Sequence, residues 1–157
     1  KTVIREGVPI SVNNMIGFPH ETRELAFDTI KLNKTFGSPE IVDNNSYPFT
    51  PFTGTPLRKL CEELGYVKET DIVNSVMSQG SLLNMPQFSG EEVDGLTKTF
   101  NMYVKFPEDR WDEIRIAEKN TKEGIKKFNE LKDEFIETFW KDGIPLPDFH
   151  DLHASFN

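Results

Sequence analysis

Four polar residues cluster around one predicted turn near the beginning of the chain. Asn13 and Asn14 stand near the end of an apolar run, and His20 and Glu21 follow a Gly-Phe-Pro sequence. Together, amide, imidazole and carboxylate groups could contact a polar ligand or transfer a proton. A structural role is equally open, because Asn satisfies backbone groups at strand ends and an acidic residue is favoured at the start of a helix. For His20 alone, the sequence favours a turn residue.

Few other residues suggest a nucleophile or a metal site. Cys61 lies on the apolar stripe of a predicted helix, which favours a small core residue over a nucleophile. As the only cysteine, it excludes an internal disulfide and any multi-cysteine metal or iron-sulfur site made by this chain alone. His150, Asp151 and His153 could bind a divalent metal, but their segment lacks periodicity and favours an irregular tail.

The first part of the chain predicts a strand-helix-strand unit. Val8 to Ile16 reads as a short strand, and the polar pair Glu21 and Thr22 begins a helix that ends at Gly37. A second strand covers Ile41 to Tyr47. The spacing between the two strands is that of a crossover connection. We therefore expect an α/β fold with two parallel strands, and the carboxyl ends of these strands should meet at one edge of the sheet.

A stiff, proline-rich loop follows, from Pro48 to Leu57. Thr55 then predicts a helix N-cap with Pro56 at the first helical position, and Gly65 predicts the end of that helix. The apolar stripe of this helix is predicted to comprise Leu57, Leu60, Cys61 and Leu64.

The rest of the chain is predicted to be mainly helical. A polar connection after Tyr66 marks a boundary between a first part, residues 1–66, and a helical extension, residues 67–157. Three helices are expected in the extension. They comprise a helix with a capping box at Ser89 and Glu92, a shorter helix over Glu108 to Lys119, and a third helix capped by Asn120 with Glu123.

The third helix carries apolar residues at helical spacing, a pattern typical of core. The hydrophobic fraction of the chain is nevertheless only 36%, beside 28% charged residues. Such a composition suggests either long exposed helices or surface that is buried only against something outside this chain. The stripe on the third helix comprises Ile125, Phe128, Leu131, Phe135, Ile136 and Phe139.

Charge and hydropathy narrow the class of partner. The formal net charge of -8 disfavours nucleic acid and anionic membranes as the main partner, since both repel an acidic surface. The chain has neither a long apolar run nor a signal-peptide pattern, and it has one cysteine, so we expect a cytoplasmic protein without a membrane span.

Lys1 to Gly7 resembles the last turns of a helix ending on a glycine cap, which predicts that the sequence opens inside an element.

Three ordered segments carry a family resemblance: Asn14 to Glu24, Thr50 to Leu57 and Leu82 to Gln87. They resemble the carboxyl-terminal portion of radical S-adenosylmethionine enzymes that have an amino-terminal cobalamin-binding domain. The resemblance spans about residues 1 to 140. His20 stands where that family has glycine.

The resemblance implies the carboxyl-terminal part of a partial TIM-like barrel, followed by the helical extension. In that family a CxxxCxxC triplet binds an iron-sulfur cluster that cleaves S-adenosylmethionine to a radical, and this chain has no such triplet. The resemblance therefore implies that the cluster-binding barrel half and the cobalamin domain lie upstream in the same parent protein, and that this chain is inactive alone. The implied cofactor-pocket residues are Asn14, Ile16, Gly17, Phe18 and Pro19, and the implied substrate-side loop comprises Thr50, Pro51, Phe52, Thr53 and Gly54.

One alternative belongs to a different class: a non-catalytic helical interaction module that completes its sheet with a partner chain or in a homodimer. Both interpretations share one physical cause, because two parallel strands leave unpaired edges that natural proteins cover. A cysteine triplet encoded upstream favours the enzyme, and an initiator codon just before Lys1 favours the module.

Overall fold

In the computed structural model, residues 6, 8, 10–37, 41–73 and 80–139 are described, without the side chains of residues 41–43. This part of the chain forms a mixed α/β structure with a two-stranded parallel sheet and five α-helices. In chain order the elements are β1 (Ile10–Ile16), α1 (Arg23–Phe36), β2 (Ile41–Pro48), α2 (Pro56–Glu63), α3 (Gly90–Lys105), a 3-10 turn (Glu108–Arg110), α4 (Trp111–Ala117) and α5 (Lys122–Phe139).

The predicted strand-helix-strand unit is confirmed. β1 and β2 pair in parallel, with Ile16 opposite Pro48, and α1 connects them. The Thr22 side chain caps α1 by accepting a hydrogen bond from the Leu25 backbone N–H, and Gly37 ends the helix in the left-handed conformation. β1 begins two residues later than predicted, and β2 extends one residue further.

Helix α2 starts as predicted but buries an unexpected residue. Thr55 accepts a hydrogen bond from the Arg58 backbone N–H, with Pro56 in the first turn. The predicted apolar stripe is wrong at Leu57 and Leu64, which are exposed, whereas Cys61 is buried. The last helical residue is Glu63, and Gly65 ends the helix as predicted, in the left-handed conformation with its N–H donating to the Glu62 carbonyl at 3.0 Å.

The residue that α2 buries is Arg58, only 2% exposed. Its guanidinium donates to Glu62 Oε1 at 2.6 Å and to four backbone carbonyl oxygens. These bonds replace the water that a charged group otherwise keeps, and they tie α2 to the turns on both sides of it. The four carbonyls belong to Pro51, Lys68, Glu69 and Asp71.

Helix α3 is the centre of the core. The predicted capping box is confirmed: Ser89 Oγ accepts from the Glu92 backbone N–H at 3.3 Å, and Glu92 Oε2 accepts from the Ser89 backbone N–H at 2.9 Å. Eleven residues of α3 are buried, because β2, α1, α4 and α5 all pack against it. One hydrophobic cluster thus includes residues from both predicted parts of the chain. The division at residue 66 stays a prediction.

The last two helices differ from the prediction at their starts. Residues 108–117 form a 3-10 turn and α4 instead of one helix. The predicted Asn120 cap is wrong, because Thr121 Oγ1 accepts from the Gly124 backbone N–H at 3.0 Å. A Cβ on Gly124 would lie 2.1 Å from the Lys119 carbonyl oxygen, so close packing on α4 fixes where α5 begins.

The predicted aromatic core of α5 is confirmed at Leu131 and Phe135, which are buried, while Ile125 is exposed. Phe135 packs edge-on to Phe106 at 6.1 Å between ring centroids. The tail histidines and the predicted helix end at residues 1–7 lie outside the described residues, apart from Glu6.

Replacing Arg58 with alanine removes the donor for four carbonyl oxygens and leaves Glu62 without its cation. We expect the free energy of unfolding to fall by about 3 kcal/mol. Urea unfolding of the variant measures this loss. Lys59→Ala is the matched control, because Lys59 lies on the exposed side of the same helix and should change little. Equal effects for the two variants would contradict the anchoring role of Arg58.

Candidate functional site

The carboxyl end of β1 turns sharply at Gly17. This residue has a φ of +85°, and a Cβ on it would lie 2.9 Å from Val93 Cγ1 of α3. Glycine is therefore required twice, by the backbone conformation and by the close approach of α3.

A carboxylate of the chain holds this turn. Glu21 Oε2 accepts from the backbone N–H groups of Gly17 at 2.5 Å and Phe18 at 3.0 Å, and the Glu21 N–H donates to the Phe18 carbonyl. Two converging N–H groups are a typical anion-binding arrangement, and here the chain supplies the anion. Between the two roles that the sequence left open for Glu21, the geometry favours the structural one.

His20 completes the same turn in an unusual conformation. Its φ is +68°, in the left-handed region that glycine favours, and its side chain is exposed. The predicted turn role is confirmed by this position. His20 therefore adopts a backbone conformation that glycine would adopt without strain, and its Cβ makes that conformation unfavourable.

Asn14 and Ile16 lie on the face of the sheet that the chain itself covers. Asn33 Nδ2 of α1 donates to Asn14 Oδ1 at 2.8 Å, and Asn14 Nδ2 donates to the Asn45 carbonyl at 3.1 Å. Ile16 is fully buried. Because side chains alternate along a strand, Asn13 and Met15 are exposed on the opposite face.

The two predicted site segments lie side by side. The Phe49 backbone N–H donates to the Ile16 carbonyl at 2.7 Å, and the rings of Phe18 and Phe49 are 4.7 Å apart. Pro19 follows in the same turn. The loop that continues from Phe49 buries Pro51, leaves Thr50 half-buried, and exposes its tip, which comprises Phe52, Thr53 and Gly54.

A cavity of about 470 Å³ borders that loop tip, but none of the strand-end residues line it. Its walls come from the loop, from α2 and from the turn after α2, so it is separate from the Gly17 turn. The lining residues are Thr53, Gly54, Thr55, Pro56, Arg58, Lys59, Glu62 and Glu69.

A charged cluster that sequence reasoning missed lies beside the Gly17 turn. Arg23, the first residue of α1, pairs with Glu118 at 2.6 Å, and the Tyr103 hydroxyl donates to the same carboxylate oxygen. Burial raises the pKa of Tyr103, and Glu118 raises it further. Burial alone would lower the pKa of Arg23, but the hydrogen bond and charge of Glu118 outweigh this and raise it. The cluster thus joins α1 to the helical extension.

A cavity of about 490 Å³ opens against this cluster. Three cations and three carboxylates line it, so its field is mixed and does not select one sign of ligand charge. No local pattern could reveal it, because Arg23 and Glu118 are 95 residues apart. The lining residues are Arg23, Glu91, Glu92, Arg115, Glu118, Lys119 and Thr121.

The described residues offer neither a metal site nor a membrane-spanning helix. Within the ranges that the structure describes, no group of three His, Cys, Asp or Glu residues could hold a metal ion. Burial raises the pKa of the Cys61 thiol, which disfavours the thiolate that a metal needs. Of the helices described, none is long and apolar enough to cross a bilayer.

Comparisons with known proteins give no relative. No protein-family model, curated protein sequence or solved structure matches the chain. The function must therefore be argued from the residues and their geometry.

Replacing Glu21 with alanine leaves the N–H groups of Gly17 and Phe18 without their acceptor. We expect a loss of about 2 kcal/mol in the free energy of unfolding, measured by urea titration. Glu21→Gln keeps an acceptor oxygen and should lose less. Glu24→Ala, an exposed change in the next turn, serves as the control. A Gln variant as unstable as the Ala variant would show that these hydrogen bonds do not hold the turn.

Replacing His20 with glycine should stabilise the protein, since it removes the strain of a left-handed residue with a Cβ. The expected gain is about 1 kcal/mol. His20→Ala keeps the Cβ and should give no gain, so comparing the two thermal midpoints isolates the backbone effect. A lower midpoint for the glycine variant would mean that the imidazole contributes more than the strain costs.

Proposed function

We propose that this chain is the carboxyl-terminal part of a radical S-adenosylmethionine enzyme of the cobalamin-binding type. In this proposal the chain contributes part of the cofactor and substrate pocket and is inactive alone. The reaction of the whole enzyme is methyl transfer or a related radical reaction. The carrying observation is a parallel strand-helix-strand unit whose open side is confined to β1 and α1. The choice of family within this proposal rests on the three sequence segments that resemble it.

In this proposal the sheet grows past β1. On the far side of β2, Asn101 Oδ1 of α3 accepts a hydrogen bond from the Asn44 backbone N–H at 3.2 Å, so α3 occupies that edge. Within the described residues, β1 pairs with β2 alone. A strand that has a neighbour on one side only can pair with a further strand on the other side.

Helix α1 carries an exposed apolar stripe: Leu25, Leu32 and Phe36 are 52%, 58% and 44% exposed. Successive helical residues turn by about 100°, which puts this stripe opposite Phe27 and Lys34. Those two residues contact α3 and its carboxyl end, because Phe27 packs on Tyr103 and Lys34 Nζ donates to the Val104 and Phe106 carbonyls.

The stripe therefore lies on the same side as the open edge of β1. A further strand beside β1, with its own helix beside α1, would cover both surfaces at once. That repeat is how parallel α/β barrels are built, and it supports a barrel half supplied by the parent polypeptide.

The face of the sheet away from α1 is the candidate ligand face. In a barrel the helices surround the strands, so the face opposite α1 corresponds to the interior, and active sites lie at the carboxyl ends of the strands. Asn13 and Met15 are the exposed β1 side chains nearest that end. We assign them, together with Gly17 and the loop tip at Phe52, to the pocket for S-adenosylmethionine and substrate.

This chain does not fit the iron-sulfur cluster. A cluster of this kind needs three thiolates, and Cys61 is the only cysteine and is buried. The cluster and cobalamin would accordingly be held by upstream parts of the parent protein.

The proposal is tested by comparing this chain with the longer polypeptide encoded around it, each reconstituted with iron and sulfide under anaerobic conditions. We expect the longer protein, and not the chain alone, to cleave S-adenosylmethionine to 5'-deoxyadenosine. Asn13→Ala in the longer protein should slow cleavage about tenfold through a lost hydrogen bond. Ser11→Ala, on the same face but further from the strand end, is the matched control.

Two results would overturn the proposal. One is cleavage by the isolated chain, and the other is a longer protein that holds no cluster. A homodimer of the chain that pairs its β1 edges, with no upstream barrel encoded, would favour the alternative interaction module.

A further inference from the structure

Part of the buried interface between β2 and α3 is polar. Asn44 and Ser46 lie two residues apart on β2, and Thr97 and Asn101 lie four residues apart on α3, so each pair shares one face of its element. All four are buried, with at most 6% of each residue exposed. The Asn44 backbone N–H to Asn101 bond joins the two elements at this point.

Five side-chain atoms of this group have no hydrogen-bond partner within the described protein. They are both side-chain amide atoms of Asn44, the hydroxyls of Ser46 and Thr97, and Nδ2 of Asn101. Exchanging the O and N positions of the amides does not remove the deficit. Asn44 lacks partners for both atoms, and Asn101 needs its oxygen for the Asn44 N–H.

Leaving five buried polar atoms unpaired would cost a large share of the stability of an ordinary domain. Apolar residues would fill such an interface at no such cost. Two pairs of buried polar residues on elements that pack together therefore point to a molecule that satisfies them.

The chemistry of the group selects the kind of molecule. It offers both donors, the amide N–H and hydroxyl groups, and acceptors, the amide and hydroxyl oxygens, and it carries no charge. An anion would use only the donors and a cation only the acceptors. Water does both, and folded proteins hold about one buried water per 27 residues in such settings.

We propose that ordered water molecules bind between β2 and α3, bridging Asn44 and Ser46 to Thr97 and Asn101. We call the interface around those four side chains the hydrated seam. The seam lies on the covered face of the sheet, because Ser46 is the register partner of Asn14, and it is therefore on the opposite side from the candidate ligand face. It is independent of the proposed radical chemistry.

The test counts long-lived internal waters by oxygen-17 magnetic relaxation dispersion in the whole purified protein and in two variants. Thr97→Val removes a seam hydroxyl with little change of shape, and we expect the count to fall by at least one. Thr99→Val is the matched control. Thr99 is equally buried in α3, but its hydroxyl already donates to the Gly95 carbonyl at 3.0 Å, so its loss should leave the count unchanged.

A high-resolution crystal structure of the unaltered protein gives a second readout that does not depend on the variants folding. Water density within hydrogen-bond distance of Thr97 Oγ1 and Ser46 Oγ supports the seam. Side chains bonded directly to one another or to another part of the chain, or equal water counts for both valine variants, would overturn it.

Discussion

The unequal coverage of the two edges of the sheet is the constraint on which the rest of the structure depends. Backbone N–H and C=O groups need partners on both sides of a strand, and a parallel pair supplies only one side of each. On β2, the outer side is closed by Asn101 of α3. On β1 no second strand pairs within the described residues, and the exposed apolar stripe of α1 lies on the same side.

The turn after β1 shows how the two parts of the chain are joined. Gly17 lets α3 approach the strand end, and the Glu21 carboxylate holds the backbone there. A few residues later, Arg23 pairs with Glu118 across the fold, while Tyr103 donates to the same oxygen. The helical extension is thus attached directly to the carboxyl end of β1, where an α/β site would be built.

Local signals in the sequence predicted local structure well. Thr55 with Pro56, and Ser89 with Glu92, cap their helices as expected, because a cap depends on residues within one turn of each other. Parallel pairing also followed from the connection between the strands. The burial of Arg58 did not, since its partners are carbonyl oxygens of turns that only the folded chain brings together.

The candidate site was predictable only in part. The Gly17 turn and the loop beginning at Thr50 could be found, because glycine and proline mark them in the sequence. The cluster around Glu118 could not, because its members are distant in the chain. Which face of β1 is covered also depends on where α1 packs. The residues alone suggested both Asn13 and Asn14, and the resemblance implied Asn14, whereas Asn13 and Met15 are the exposed ones.

Hydrogen-deuterium exchange of β1 tests the central claim, an open edge completed by further polypeptide, most directly. The experiment compares the chain alone with the longer protein encoded around it. The account predicts that the β1 amides facing away from β2 exchange quickly in the chain alone and at least about a hundredfold more slowly in the proposed longer protein, because a new strand pairs with them. Equal exchange in the two proteins would contradict the account.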